Sequence, residues 1–232
     1  MSTAAIHSSS GIFDEPIILA IPKGRLGKDF HDWFAPLGIT PEADFFNPDS
    51  RKLLFETNIP HFRLIRVRSF DVITYVSLGG ASFGVVGSDI LAEFDSSAVF
   101  APVDLDFGHC RLSSAELVQP LPSSAPKLLN GVRVASKYPN LTRAHYHAKG
   151  LQCECVKLNG AIELAPKLGI CPLIVDLIST GDTLKANGLV EVETLLEVSA
   201  RLVVNRVKYK TASTAHQYWV EKFREIADAN IS

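Results

Sequence analysis

The chain has 232 residues, a formal net charge of −2, and a composition 47% hydrophobic and 21% charged. That length buries one large core or two smaller ones, and so small a net charge supplies no general basic field, which argues against nucleic acid as the main partner. No apolar run approaches a membrane span, and Cys110, Cys153, Cys155 and Cys171 form no CxxC pair, so reduced, mostly buried thiols of a cytoplasmic protein are expected rather than disulfides or zinc ligands.

Residues 1–16, with Ser8-Ser9-Ser10-Gly11 among them, are small and polar and lack the basic start and apolar centre of a secretory signal, so a disordered tail is expected there. Ile17 to Ile21 reads as a short strand ended by Pro22-Lys23-Gly24-Arg25. Leu26, Phe30, Trp33 and Leu37 then recur at helical spacing up to Gly38. A strand, a glycine turn with two cations and a helix place Lys23 and Arg25 at the carboxyl edge of a parallel sheet, where open α/β sheets bind ligands. Taken alone, the Lys-Gly-Arg triplet also reads as solvated loop charge. Arg51 and Lys52 precede a strand at Leu53 to Phe55, and neighbouring strand residues face opposite sides, so at most one of the two would point into a given site. Phe62 to Val67 is a further strand.

Ser69 suits the cap of a helix with apolar Val72, Tyr75 and Val76, ending at Gly79-Gly80. Phe83-Gly84-Val85-Val86-Gly87-Ser88-Asp89 reads as a strand between glycines running into a helix capped by Ser88. Glycines there admit a flat ring or a phosphate, or else a tight strand-to-helix contact. Val103 to Leu117 reads as a crossover between domains, followed by a polar loop at 123–126. A strand at Val132 to Ala135, a helix around Arg143 to Lys149 with an exposed His145-Tyr146-His147, and a strand at Cys153 to Lys157 come next. Glu163 lies early in a short segment, Gly160 to Leu168, where an acid suits a helix N-terminus.

Leu173 to Ile178 is an apolar run interrupted by Asp176, and it breaks into Ser179-Thr180-Gly181-Asp182-Thr183 before a helix closed by Asn187-Gly188. The amides of Thr180, Gly181, Asp182 and Thr183, with hydroxyls of Ser179, Thr180 and Thr183, fit a cradle for a phosphate monoester. Asp176 would accept from vicinal ribose hydroxyls or hold a hydrated Mg²⁺ ion. No lysine follows the glycine as a triphosphate-binding loop requires. The same residue types also make ordinary turns. Val198 to Val204 returns as a strand, and Ala215, Trp219, Phe223 and Ile226 mark one face of a final helix.

Seven stretches together resemble the ATP phosphoribosyltransferase family, from about Leu19 to Asn205. They are Leu19 to Leu26, Ser50 to Leu53, Arg68 to Val76, Phe83 to Asp89, Val134 to Asn140, Glu163 to Pro166 and Val175 to Leu184. Ile73 departs from the pattern, since the family often has proline there. The resemblance implies an α/β fold of two domains of the type II periplasmic-binding-protein kind with the site in an interdomain cleft. Domain I is expected at 17–104 plus 193–232, on the ATP and pyrophosphate side, and domain II at 105–192 with the 5-phosphate loop.

It also implies the reaction that opens histidine biosynthesis, in which ATP and 5-phosphoribosyl 1-pyrophosphate give N1-(5-phosphoribosyl)-ATP and pyrophosphate with Mg²⁺ present. Ser179, Thr180, Gly181, Asp182 and Thr183 would hold the 5-phosphate, and Glu163 and Asp176 would lie near the ribose and its metal. Gly87 and Asp89 would lie near the adenine nucleotide. Arg25, Arg51 and Lys52, with Lys23 and Gly24 beside them, are the candidates for stabilising the departing pyrophosphate. A chain of this length resembles the short form, a homodimer that joins a histidyl-tRNA-synthetase-like regulatory subunit in a hetero-octamer. The rival reading is a non-enzymatic module of the same fold that binds a small anion.

Overall fold

The computed structural model describes residues 16–47, 49–119, 131–211 and 214–231. The expected tail lies outside the described residues except for Pro16, as does the polar loop at 123–126. The chain forms two compact units. Unit 1 holds the described residues up to Leu91, then Ser96–Gly108 and those from Ser199 onward; unit 2 holds Ala92–Asp95 and His109–Val198. Apart from the brief excursion at Ala92–Asp95, the chain passes between units after Gly108 and after Val198, where 104 and 192 were expected. Leu105 still belongs to the first core, fully buried, with its amide donating to the Ala200 carbonyl at 2.9 Å.

Unit 1 begins with β1 (Ile17–Pro22), α1 (Arg25–Phe34), β2 (Leu54–Glu56), β3 (Phe62–Val67), α2 (Ser69–Ser77), β4 (Phe83–Gly87), the start of α3 (Ser88–Phe94) and β5 (Val99–Asp104). In unit 2 the order is β6 (Cys110–Leu117), β7 (Gly131–Ser136), α4 (Pro139–Ala148), β8 (Gln152–Lys157), α5 (Leu164–Lys167), β9 (Leu173–Ile178), α6 (Asp182–Ala186) and β10 (Leu189–Val198). The chain then completes unit 1 with β11 (Ala200–Asn205), α7 (Arg206–Lys210) and α8 (Thr214–Ile231).

The first sheet runs β2-β3-β1-β4-β11-β5, with β3, β1 and β4 parallel and β2, β11 and β5 antiparallel to their neighbours. Its core joins Leu19, Phe83 and Val85 to α1 and α8 through stacked rings, Trp33 on Phe223 at 6.1 Å and Phe30 on Trp33 at 5.8 Å. Each such pair contributes about 0.5–1.5 kcal/mol beyond its buried area. The second sheet runs β10-β6-β9-β7-β8, with β9, β7 and β8 parallel.

Several expectations change. β5 and β10 were not foreseen. Both are edge strands, and Pro102 is tolerated in β5 because an edge has an unpaired side. The stretch Val103 to Leu117 does cross between the units, after Gly108, but it is made of the end of β5, a short link and all of β6. On α2, Ile73 is buried beside Val72 and Val76, whereas Tyr75 is exposed. Ser69 and Ser88 are first residues of their helices rather than caps; the Ser88 hydroxyl accepts from the Ser199 amide at 3.3 Å. Tyr146 is buried, and α4 begins at Pro139 with its N-terminus capped from a distance. The buried Glu93 carboxylate accepts from the amides of Asn140 and Leu141 at 2.9 Å each.

Candidate active site

Strand β9 lies between β6 and β7, so most of its residues must be apolar, and Ile174, Val175 and Ile178 are buried. Asp176 is the exception and lies opposite Ser113 of β6. Residues Ile174, Asp176 and Ile178 share a strand face, and with Ser113 and Ala115 they line a cavity of about 180 Å³. Glu163, Ser179, Thr180, Gly181, Asp182 and Thr183 complete its polar wall. Seven sequence-predicted residues thus converge in unit 2. They do so because β7, β8 and β9 are parallel: the segments leaving β8 and β9 emerge at one sheet edge.

At that edge Gly181 has φ +82° and ψ 5°, in the left-handed region. An L side chain is disfavoured there by about 1–2 kcal/mol, which accounts for glycine. The turn brings α6 round so that its first amides, which have no carbonyl one turn back, open at the loop. Thr180 differs from the expectation: its hydroxyl donates to Asp182 Oδ2 at 2.7 Å. The Asp176 Oδ1 atom accepts from the Leu177 amide at 2.8 Å, which fixes the carboxylate at the strand end. Glu163 is half-buried and is the residue preceding α5. Two residues before it, Ala161 holds φ +51°, an unusual conformation for alanine.

Arg111, which sequence reasoning passed over, holds this loop from outside the cavity. Its Nε and Nη2 donate to the two Glu191 carboxylate oxygens at 2.6 and 2.5 Å, and its Nη1 donates to the Ser179 carbonyl at 3.2 Å. The hydrogen bond from Arg111 lowers the Glu191 pKa below the ordinary carboxylate value. Burial raises the Cys155 and Cys171 thiols to about 11, which leaves them protonated and unreactive.

In unit 1 the predicted cations also meet at one edge. Pro22 pairs with Val67 and Leu54 with Ile65, so the end of β1, the end of β3 and the start of β2 coincide. Lys23, Gly24 and Arg25 leave β1 there and Arg51 and Lys52 enter β2 there, and all five are exposed. Gly24 has φ +97°. Gly27, not singled out in the sequence, is the tighter requirement, because a Cβ on it would stand 1.9 Å from the Pro22 carbonyl oxygen.

The segment before Arg51 is held by Ser50, whose hydroxyl donates to Asp44 at 2.5 Å, and by Arg66, which donates to the Phe45 carbonyl at 3.0 Å. Lys52 Nζ is paired with Glu42 at 2.6 Å, while Arg25 and Arg51 enter no ion pair among the described residues. Gly87 ends β4 at the same edge, and Asp89 is buried in the first turn of α3. Gly84 serves packing, since a Cβ there would meet Val72 at 2.5 Å.

Both units thus gather their candidate anion-binding residues at the carboxyl edge of a parallel segment. Residues 68–225 match the family model described as ATP phosphoribosyltransferase. An ATP phosphoribosyltransferase of Rhizorhabdus wittichii is 55% identical over 91% of this chain and 96% of its own length, and one of Rhodospirillum rubrum is 50% identical over 93% and 95%. Among solved structures, the ATP phosphoribosyl transferase (HisG:HisZ) complex of Thermotoga maritima matches with a TM-score of 0.75 and 31% identity, over 92% of this chain and 99% of that one. The periplasmic aliphatic sulphonate binding protein of Escherichia coli matches with a TM-score of 0.56 at 14% identity, over 92% of this chain and 72% of that one, a likeness of fold alone. With its motifs in family order and relatives at half identity or better over nearly its whole length, the chain belongs to the ATP phosphoribosyltransferase family.

Proposed function

We propose that the chain transfers the 5-phosphoribosyl group of 5-phosphoribosyl 1-pyrophosphate to N1 of the adenine of ATP, giving N1-(5-phosphoribosyl)-ATP and pyrophosphate, the first step of histidine biosynthesis. The observation that carries this reading is the unit 2 cavity, in which a left-handed Gly181 turn and two carboxylates stand together on the family background. The amides after Ser179 bind the 5-phosphate, and Glu163 and Asp176 accept from the ribose hydroxyls. The adenine N1 lone pair forms the new bond to the anomeric carbon while pyrophosphate leaves with the old bonding pair. Attack by a free lone pair needs no strong base, so catalysis falls to positive charge beside the leaving group. Arg25, Arg51 and Lys52 supply it, with Lys23 and the Gly24 amide alongside, and arginine's planar fork suits phosphate oxygens. Gly87 and Asp89 serve the adenine nucleotide side.

Mg²⁺ fits the donor set. It is a hard cation that takes one or two carboxylates together with substrate phosphates and keeps several waters, and among the described residues no cluster of three His, Cys, Asp or Glu forms a closed cage. Asp176 would hold it through water, with Glu163 close by, and the ion would neutralise charge on the pyrophosphate.

No helix of the described residues is long and apolar enough to cross a membrane. In this reading the protein works in the cytoplasm as the short form, a homodimer joined by a histidyl-tRNA-synthetase-like regulatory subunit in a hetero-octamer. The likeness to the HisG:HisZ complex of Thermotoga maritima supports such an assembly. The test is incubation with ATP, phosphoribosyl pyrophosphate and Mg²⁺, with and without that subunit, following pyrophosphate and phosphoribosyl-ATP. Binding of the sugar phosphate without either product would favour the module that only captures an anion.

A further inference from the structure

The turn at Thr180 and Gly181 can hold a phosphate only if its amides point inward, and nothing in β9 itself fixes the first peptide plane beyond the strand. Ile178 is the last strand residue, and the Ser179–Thr180 peptide is the first outside the ladder. A trans peptide carries its C=O and N–H in opposite directions, so whatever holds the Ser179 carbonyl also aims the Thr180 amide.

Arg111 holds that carbonyl. Its Cα lies opposite Ile178 in the antiparallel β6–β9 register, so the side chain starts beside the strand exit. Two of its donors are committed to Glu191 of the edge strand β10, a bidentate pair with side chains 32% and 26% exposed. The third reaches the Ser179 carbonyl at 3.2 Å. Arg111 does not line the cavity, whereas Ser113, two residues on, does. Its positive charge is already matched by Glu191. These facts give the guanidinium the character of a brace and not of a ligand to the substrate anion.

We propose that Arg111 is a positioning residue for the 5-phosphate, tying the Ser179 carbonyl outward so that the Thr180 amide faces the cavity. Lysine cannot reproduce this, because a single ammonium cannot keep the planar two-point grip on Glu191 and the third bond together. The proposal rests on the reading of the loop as the 5-phosphate site.

The test measures binding of ribose 5-phosphate and of ATP by titration calorimetry to the full chain, wild type and the variants Arg111→Lys, Arg111→Ala and Glu191→Gln. Melting temperature serves as the check on folding. Arg111→Lys and Arg111→Ala should weaken ribose 5-phosphate about tenfold or more, the worth of one hydrogen bond to a charged group, and leave ATP affinity within about twofold of wild type. Glu191→Gln keeps an acceptor for the arginine and should stay within about threefold for both ligands. In turnover the arginine variants should raise KM for the sugar donor more than they lower kcat. A general structural role would weaken both ligands together. If Arg111→Ala does not fold, Arg111→Lys decides. A folded Arg111→Lys that binds ribose 5-phosphate as the wild type does overturns the proposal. A wild-type chain that fails to bind ribose 5-phosphate at all overturns the reading of the loop instead.

Discussion

Around Thr180 and Gly181 the polar groups are tethered to one another: Thr180 to Asp182, Asp176 to the Leu177 amide, and the Ser179 carbonyl to Arg111. Around Arg25 and Arg51 the backbone is tethered and the side chains are not. Gly27 clamps α1 on the end of β1, and Ser50 and Arg66 hold the approach to β2, yet neither arginine is held in an ion pair among the described residues, and Arg51 is exposed. In the proposed reaction the contrast would match two tasks. A phosphate that stays bound from start to finish is best met by amides already in place, whereas a leaving group whose charge grows during reaction is best met by long cations that tighten on it late.

The largest effect is expected where that late charge is met. Arg51→Ala should lower the single-turnover rate about 10²–10³-fold, the usual loss for one such donor, with far less effect on substrate affinity. Rapid-quench kinetics beside equilibrium binding would decide it; equal losses in both would make Arg51 another ground-state binder and erase the contrast.

Next comes Gly181→Val on the tethered side. A Cβ there meets only the Ile178 side chain at 4.0 Å, so the penalty is conformational and not a clash. At φ +82° a β-branched residue costs upward of about 1–2 kcal/mol, and the chain relieves it by moving the turn, which redirects the amides. Sugar-phosphate binding should fall below detection by calorimetry, while Gly181→Ala keeps part of it. Unchanged affinity in the valine variant would remove the turn from the site.

How far the sequence reveals such a design depends on which link a residue serves. Gly181 and Gly24 are readable because each stands at a strand exit that needs a positive φ, and Asp176 because it interrupts an apolar strand. β5 and β10 were missed because an edge strand is only half-buried, and in β10 the alternation is inverted, with Val190 and Val192 exposed and Glu191 and Glu193 half-buried. Arg111 was missed for a different reason. Its partners, Ser179 and Glu191, are 68 and 80 residues away, and only the β6–β9–β10 neighbourhood brings them together. Likewise the salt bridge between Lys52 and Glu42 cannot be read from the cations alone.

That salt bridge sharpens the comparison on a smaller scale. Arg51 is unpaired among the described residues and Lys52 is held by Glu42, so Lys52→Ala should cost about tenfold in rate, clearly less than Arg51→Ala. Glu42→Gln frees the lysine and should change the rate by less than about threefold. A Lys52→Ala loss as large as that of Arg51→Ala would mean that the lysine abandons Glu42 for the pyrophosphate.

The smallest effect concerns acid. The Glu191 pKa lies below its ordinary value, chiefly through the hydrogen bond from Arg111, so its stabilisation is complete above the unfolded carboxylate value near 4.5 and is lost as pH falls through the folded value. Wild type should melt no more than a few degrees above Glu191→Gln at pH 7, since a pair this open to solvent contributes little. The gap should narrow only once pH drops below about 4.5. Melting curves of the two proteins between about pH 7 and pH 3 would read it, and a gap that persisted at the acid end would mean that Glu191 acts through its shape and packing and not through its charge on Arg111.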